Sequence, residues 1–144
     1  MSARRRLRAA VPALILLLLA GGRTYFPSVV DVGGVRLQPE RARAVRSPTG
    51  HEAIVYFRLR STSKYGDVLT GAEAPVARRA ELRRADGTVV AQIEVAGESV
   101  VTFDEKGPRV VLSDLTRTLT PGEVIIVTLR FQKSGALGLV TAVE

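Results

Sequence analysis

Short segments with the alternation typical of β-strands follow one another through most of this chain, and they constrain its fold more than any single motif does. They recur about every ten residues, and glycine, proline and aspartate mark the turns between them. Outside residues 1–22, no segment has apolar side chains at the 3.6-residue period of an amphipathic helix. The pattern therefore predicts an all-β fold, an antiparallel β-sandwich or barrel. The predicted strands cover residues 28–37, 41–46, 53–60, 78–84, 88–95, 99–103, 108–112, 123–132 and 137–143.

Two of these strands, 53–60 and 123–132, alternate clearly enough to assign their faces. In each, the odd-numbered apolar residues are expected to face the core, while Tyr56 and the other even-numbered residues face outward. The outward residues Val124 and Ile126 are too apolar for open water, so either a loop covers them or they belong to a partner site. The strand 78–84 alternates more sparsely and places Ala80 and Leu82 inward. The predicted core residues are therefore Val55, Phe57, Leu59, Ala80, Leu82, Ile125, Val127, Leu129 and Phe131.

The N-terminus has the order of an export signal. Four arginines, at positions 4, 5, 6 and 8, precede the apolar run 9–22, which is shorter than the roughly 20 residues that a membrane-spanning helix needs. We therefore expect residues 1–22 to be a signal peptide, or an uncleaved anchor, and residues 23–144 to form one extracytoplasmic β-sandwich domain. The segment Leu19-Ala20-Gly21-Gly22 resembles the bacterial lipoprotein box, but Gly22 stands where that box has its acylated cysteine.

Charge and composition exclude several functions. The whole chain carries +7, but residues 1–22 hold four of its 21 basic residues and none of its 14 acidic ones, so the remainder carries +3. Such a mild excess gives no indication of nucleic-acid binding. The chain has no cysteine, which excludes disulfides, thiol catalysis and cysteine-ligated zinc.

The sequence contains few residues that could catalyse a reaction. His51 is the only histidine, and it lies in the turn-rich segment 47–52, where a solvated loop position is expected. No serine lies in a nucleophile-elbow sequence, and the carboxylates lie mostly at turns, where aspartate caps the backbone. We predict a protein that is not an enzyme.

Several stretches, in order, resemble the PCu(A)C periplasmic copper chaperones. These are the strand at 53–61, the loop and strand at 67–82, the segment 108–115, and the ending at 119–131. The resemblance implies a cupredoxin-like or immunoglobulin-like β-sandwich. It also implies a protein that holds Cu(I) with two histidines and two methionines and delivers it to the copper centre of cytochrome oxidase.

The ligands implied by that resemblance are missing from this sequence. Arg83 stands at the first histidine, Arg109 at the second histidine, and Val111 at the methionine that follows it; the other methionine falls near 93–95, where there is none. Cu(I) prefers thioether and imidazole ligands, and a guanidinium repels a metal ion. We therefore expect no metal site and no cofactor, copper included.

The same positions allow a positive hypothesis. Arg83 and Arg109, with Arg84 and Arg78 or Arg79 nearby, would form a cationic patch. Such a patch would bind phosphate or carboxylate groups of an anionic lipid, a cell-wall polymer or an acidic envelope protein. Alternatively, each arginine pairs with a nearby Glu81, Glu94 or Asp114 and only solvates the surface. The sequence thus predicts a copper-chaperone-like binding or accessory protein of the cell envelope, with membrane contact only through an uncleaved N-terminal segment. The alternative function is a genuine copper carrier for oxidase assembly that uses a different site.

Overall fold

The structure is a computed structural model that describes residues 36–144. That range contains ten β-strands and no helix, and therefore no helix that could span a membrane. The predicted signal segment 1–22 and most of the predicted strand 28–37 lie outside the described residues. The strands are β1 Leu37–Arg46, β2 Ala53–Ser61, β3 Asp67–Glu73, β4 Ala77–Arg83, β5 Val89–Val90, β6 Ile93–Val95, β7 Ser99–Phe103, β8 Arg109–Leu115, β9 Val124–Phe131 and β10 Gly135–Val143.

All ten strands belong to one strongly curved sheet. Nine of them form the order β5-β4-β8-β2-β1-β10-β9-β3-β6, and β7 pairs with the second half of β2. Strands β5 and β6 lie at opposite ends of this order, yet only Ala91 and Gln92 separate them along the chain. The three residue steps from Val90 to Ile93 span at most about 11 Å, so the ends of the sheet come together and the fold is nearly a closed barrel. The predicted all-β class is confirmed.

One strand pair departs from the antiparallel pattern. β1 and β10 run parallel, with Arg43 opposite Ala142 and Ala44 opposite Val143, whereas every other pair among the described strands is antiparallel. The parallel pair joins the half of the sheet that contains β4, β8 and β2 to the half that contains β9 and β3. The fold is therefore a mixed sheet, and its C-terminal strand is hydrogen-bonded on both sides.

The core fills the space inside the curved sheet. Of the nine residues that the alternation assigns to the core, eight are buried, each less than 5% exposed, and Ala80 is partly buried and packs against them. Phe57 of β2 stacks on Phe103 of β7 with ring centroids 4.2 Å apart and an interplanar angle of 13°. The predicted inward faces of β2 and β9 are therefore confirmed.

The structure corrects the predicted elements in three places. β3 was not predicted as a strand, and the single strand predicted for 88–95 is two short strands, β5 and β6. β5 pairs with β4 and β6 pairs with β3, so the chain crosses from one end of the sheet to the other between them. Tyr56 was expected to be exposed but is 6% exposed, because it lies beside β1 and the Arg43 guanidinium lies over its ring.

A buried carboxylate fixes the loop between β9 and β10. Asp67, at the start of β3, accepts hydrogen bonds from the backbone N–H groups of Val68, Lys133 and Ser134 and from the Ser134 hydroxyl, at 2.6–2.9 Å. Burial would raise the pKa of Asp67, but these hydrogen bonds to the charged form outweigh burial and hold the pKa below its usual value. Asp67 therefore joins two segments that are far apart in sequence.

Candidate functional site

Arg83 and Arg109 lie directly opposite each other at one end of the β4–β8 strand pair. Arg83 is the last residue of β4, Arg109 is the first residue of β8, and the two are cross-strand partners in the antiparallel pair. Side chains at such positions have Cβ atoms about 4.5–5.5 Å apart. The structure thus brings together the two arginines that the sequence analysis singled out.

Arg83 has an acidic neighbour. Its Nη2 and Nε atoms donate to one carboxylate oxygen, Oε2 of Glu81, at 2.8 and 3.3 Å. Both side chains are 30% exposed, so this ion pair is partly solvated. Because both bonds go to a single oxygen, the geometry is not the fork-to-fork pairing that satisfies a guanidinium best.

Arg109 has a backbone carbonyl, and not a carboxylate, as its hydrogen-bond partner. Its Nη2 donates to the carbonyl oxygen of Ala85 at 2.8 Å, whereas its Nε is buried and has no hydrogen-bond partner within residues 36–144. Within the same residues, no carboxylate lies within 4.0 Å of its guanidinium nitrogens. A buried donor without a partner is costly, and the charge of Arg109 is not neutralised by a carboxylate among the described residues.

A tight hairpin places the third arginine beside this pair. The Gly87 N–H donates to the Arg84 carbonyl at 2.9 Å, and the Arg84 N–H donates to the Thr88 carbonyl at 2.9 Å. Gly87 has a φ of 88°, which strongly favours glycine. The pKa of Asp86 is lowered chiefly by hydrogen bonds from Thr88, with a smaller contribution from the charge of Arg84. The turn between the predicted strands 78–84 and 88–95 is therefore confirmed.

A surface cleft of about 540 Å³ lies next to the hairpin. Arg84 and Lys106 supply positive charge to its wall, and Glu94 supplies one negative charge. Ala85, whose carbonyl binds Arg109, also lines it. The complete lining is Arg84, Ala85, Gln92, Ile93, Glu94, Lys106, Gly107 and Pro108.

The other positions that the resemblance implies for copper ligands are close by. Val111 lies two residues after Arg109 on β8, opposite Glu81 of β4, and is 2% exposed. Ile93 and Glu94 line the cleft beside Arg84. All four implied positions are therefore near one end of the sheet, although none carries a thioether or an imidazole.

These residues do not suit copper. Within residues 36–144, no cluster of three or more histidine, cysteine, aspartate or glutamate side chains could hold a metal ion. His51 is exposed, and its carbonyl accepts a hydrogen bond from the N–H of Leu115, at the far end of β8 from Arg109. Six residues of extended strand separate those ends by about 20 Å, so the only imidazole cannot complete the site.

Sequence reasoning missed some residues of this region and placed others too near it. Arg79, expected near the patch, is opposite Ser113 and pairs with Asp114 at 3.0 Å, well along β4 from Arg83. Lys106, Gln92 and the Ala85 carbonyl were not anticipated. The sequence contained one indication that Lys106 lies at the site: it is in the turn just before the segment that contains Arg109.

The fold is that of the PCuAC domains. The chain is similar to the copper-bound PCuAC domain from PmoF2, with 24% identity, a TM-score of 0.68 and coverage of 75% of this chain and 92% of that one. It is also similar to the apo PCuAC domain from PmoF1, with 21% identity, a TM-score of 0.66 and coverage of 79% and 96%. For CuI-DR1885 from Deinococcus radiodurans, the identity is 22%, the TM-score 0.63 and the coverage 89% and 85%. At these identities the similarity establishes the fold.

A protein-family comparison is more specific. The family described as "Putative lipoprotein LpqE-like" matches residues 30–143. The chain therefore belongs to the LpqE-like family. No curated protein sequence matches it significantly.

Proposed function

We propose that this protein is a non-enzymatic binding protein of the cell envelope that recognises phosphate or carboxylate groups through Arg83, Arg84 and Arg109. The observation that carries the proposal is that Arg83 and Arg109 are cross-strand partners, while no carboxylate within the described residues lies within 4.0 Å of the Arg109 guanidinium nitrogens. An anion placed between Arg83 and Arg109 accepts hydrogen bonds from both guanidinium groups and also relieves the repulsion between them.

The proposed ligand at the end of β4 and the start of β8 is an anion and not copper. The solved relatives include copper-bound PCuAC domains. Here the corresponding positions carry two cations and a buried valine, and Cu(I) binds none of these side chains. In this proposal, the PCuAC framework is retained and its ligand has changed.

Location outside the cytoplasm is part of the proposal. The family's description as lipoproteins supports it, as does the arginine-rich, then apolar order of residues 1–22. Because Gly22 replaces the cysteine of the lipoprotein box, we propose attachment by means other than a thioether-linked lipid, or release after cleavage. The anionic group then belongs to a lipid, a cell-wall polymer or an acidic envelope protein.

Binding of inorganic polyphosphate and of polyglutamate tests the proposal. We expect salt-sensitive binding that weakens at least tenfold in Arg83→Ala/Arg109→Ala, because both bidentate donors are removed. Arg78→Ala/Arg79→Ala is the matched control, since it removes the same charge from the other end of β4. Equal loss in both double variants would show that binding depends only on overall charge and would contradict an anion site.

The rival function is a copper carrier that uses a site outside the family pattern. The copper-bound relatives favour it, and His51 is the side chain around which such a site would form. Cu(I) retention that disappears in His51→Ala would support this rival. The two functions are separable because His51 and Arg109 lie near opposite ends of β8.

A further inference from the structure

The cleft beside the arginine pair is lined by opposite charges that do not pair with each other. Arg84 and Lys106 are its cations, Glu94 is its carboxylate, and Gln92 adds an amide. All four side chains are exposed, and within residues 36–144 none of them forms a hydrogen bond or an ion pair. By contrast, six other arginines in that range each pair with an aspartate or a glutamate. The cleft therefore presents polar groups that have no partner among the described residues.

Local turns fix the positions of the two cations. Arg84 begins the hairpin in which Asp86 accepts a hydrogen bond from a backbone N–H at 2.9 Å. Lys106 lies in the turn before β8, where its own backbone N–H donates to Asp104 at 2.9 Å. Both carboxylates thus bind the backbone, and neither forms an ion pair with Arg84 or Lys106. The cleft is formed before a ligand binds, which lowers the cost of binding.

The four side chains differ in the groups that they bind. A guanidinium and an ammonium only donate hydrogen bonds, so Arg84 and Lys106 bind acceptors and bind anions best. A carboxylate only accepts, so Glu94 binds donors such as hydroxyl groups, whereas the Gln92 amide both donates and accepts. A ligand that satisfies all four side chains has an anionic group and several hydroxyl groups beside it.

Two other kinds of anionic ligand fit the cleft less well. The acyl chains of a lipid need an apolar lining, whereas the apolar side chains here are only Ala85, Ile93 and Pro108. An acidic peptide brings further carboxylates, which the charge of Glu94 repels. A polyhydroxylated anion meets neither obstacle.

We propose that the ligand of this site is an acidic saccharide, whose carboxylate or phosphate group binds the arginines and whose hydroxyl groups occupy the cleft. This inference rests on the proposed anion site at Arg83, Arg84 and Arg109. The two regions adjoin, because Nη2 of Arg109 donates to the carbonyl of Ala85, which lines the cleft. The cleft volume of about 540 Å³ is within the range of about 300–1,000 Å³ that is typical of small-ligand sites.

Calorimetric titration of the purified full chain tests this inference with two probes. Trigalacturonate and triglutamate blocked at both ends carry the same number of carboxylates, but only trigalacturonate has hydroxyl groups. We expect trigalacturonate to bind about tenfold more tightly, because its hydroxyl groups bind a charged carboxylate in the cleft. The galacturonate monomer is a third probe: a free acidic sugar as the ligand predicts equal affinity for monomer and trimer, whereas a saccharide chain predicts weaker binding of the monomer.

Glu94→Ala gives the sharpest comparison, because it removes both a hydroxyl acceptor and a negative charge. We expect trigalacturonate binding to weaken about tenfold, whereas triglutamate binding is unchanged or becomes tighter. Glu105→Ala is the matched control, since Glu105 is exposed, is next to Lys106 in sequence and does not line the cleft. It should change the binding of the two probes alike.

Failure of this inference is distinguishable from failure of the anion site. Triglutamate binding that is lost in Arg83→Ala/Arg109→Ala, without any preference for trigalacturonate, would support the anion site and overturn the saccharide assignment. Tighter binding of both probes in Glu94→Ala would also overturn it. No binding of either probe or of polyphosphate would contradict the anion site itself, and the saccharide assignment with it.

Discussion

Asp67 has the strongest polar environment among the described residues outside the candidate site. Its side chain is 3% exposed and accepts three backbone N–H groups and one hydroxyl. Two of the backbone donors lie more than 60 residues away along the chain. Asp67 therefore stabilises tertiary structure as well as its own turn.

Replacing Asp67 by asparagine should lower the free energy of unfolding by about 2–3 kcal/mol near neutral pH, because an amide N–H then faces a backbone donor. The folded-state pKa of Asp67 is below its unfolded value of about 4. Its stabilisation is thus complete above that pH and is lost as the pH falls through the folded-state pKa. Urea denaturation should show the difference between wild type and Asp67→Asn shrinking below pH about 4.

Asp104→Asn serves as the control. Asp104 accepts a local hydrogen bond from the Lys106 N–H, so its replacement should change stability by well under about 1 kcal/mol. A loss as small in Asp67→Asn would contradict the account of Asp67.

At the scale of residues, alternation predicted the core faces, since every second apolar residue of β2 and β9 is buried. Alternation could not predict contacts made by a neighbouring strand. Tyr56 has outward parity, yet the guanidinium of Arg43, 13 positions earlier in the sequence, lies over its ring. The carboxylates were expected mostly to cap turns, whereas the partners of Asp67 at Lys133 and Ser134 follow from the fold and not from nearby sequence.

Strands β3 and β6 are held together by a close approach of the backbones beside them. A Cβ atom at Gly97, just after β6, would lie 2.2 Å from the carbonyl oxygen of Lys64, just before β3. No side chain fits there unless one of the two backbones moves. Glycine is therefore required at position 97 for steric reasons.

Gly97→Ala should lower the free energy of unfolding by about 1–3 kcal/mol, as overpacking does. Gly71→Ala is the matched control, because a Cβ at Gly71 meets nothing within 4 Å, and we expect no loss or a gain of up to about 1 kcal/mol. Thermal or chemical denaturation of both variants measures the difference. Similar stabilities for the two variants would contradict the close approach.

At the scale of elements, the strands with clear alternation were predictable and the weaker ones were not. β3 contains Thr70 and Gly71, which weaken its pattern, and its register shifts between Leu69 and Gly71. The division of 88–95 into β5 and β6 depends on partners at opposite ends of the sheet. The parallel pairing of β1 with β10 joins distant segments, and local sequence contains no signal for it.

The whole molecule divides, by our prediction, into an export segment and a domain that folds without it. Residues 1–22 lie outside the described residues, and the described strands begin at Leu37. Residues 23–144 alone should therefore give a soluble protein with β-type circular dichroism and a cooperative unfolding transition. Insoluble material without β-structure would show that the N-terminal segment is needed for folding.

The sequence predicted where the candidate site lies, but not the shape and hydrogen bonding of its surface. The resemblance to copper chaperones located Arg83 and Arg109, and their cross-strand pairing follows from that fold. The unpartnered Nε of Arg109 and the cleft beside Arg84 depend on loop geometry that the sequence pattern does not specify. The same holds for Val124 and Ile126, which are 60% and 46% exposed, so that no loop within residues 36–144 covers them.

Cu(I) competition tests the central claim most directly, namely that a PCuAC fold here lacks copper-binding function. The protein is titrated with Cu(I) in the presence of a chelator of moderate affinity and analysed by mass spectrometry, with a copper-binding PCuAC domain as the positive control. Because the described residues contain one imidazole and neither thioether nor thiol, we predict that the chelator removes all the copper from this protein. A one-to-one Cu(I) complex that survives the competition would contradict the account.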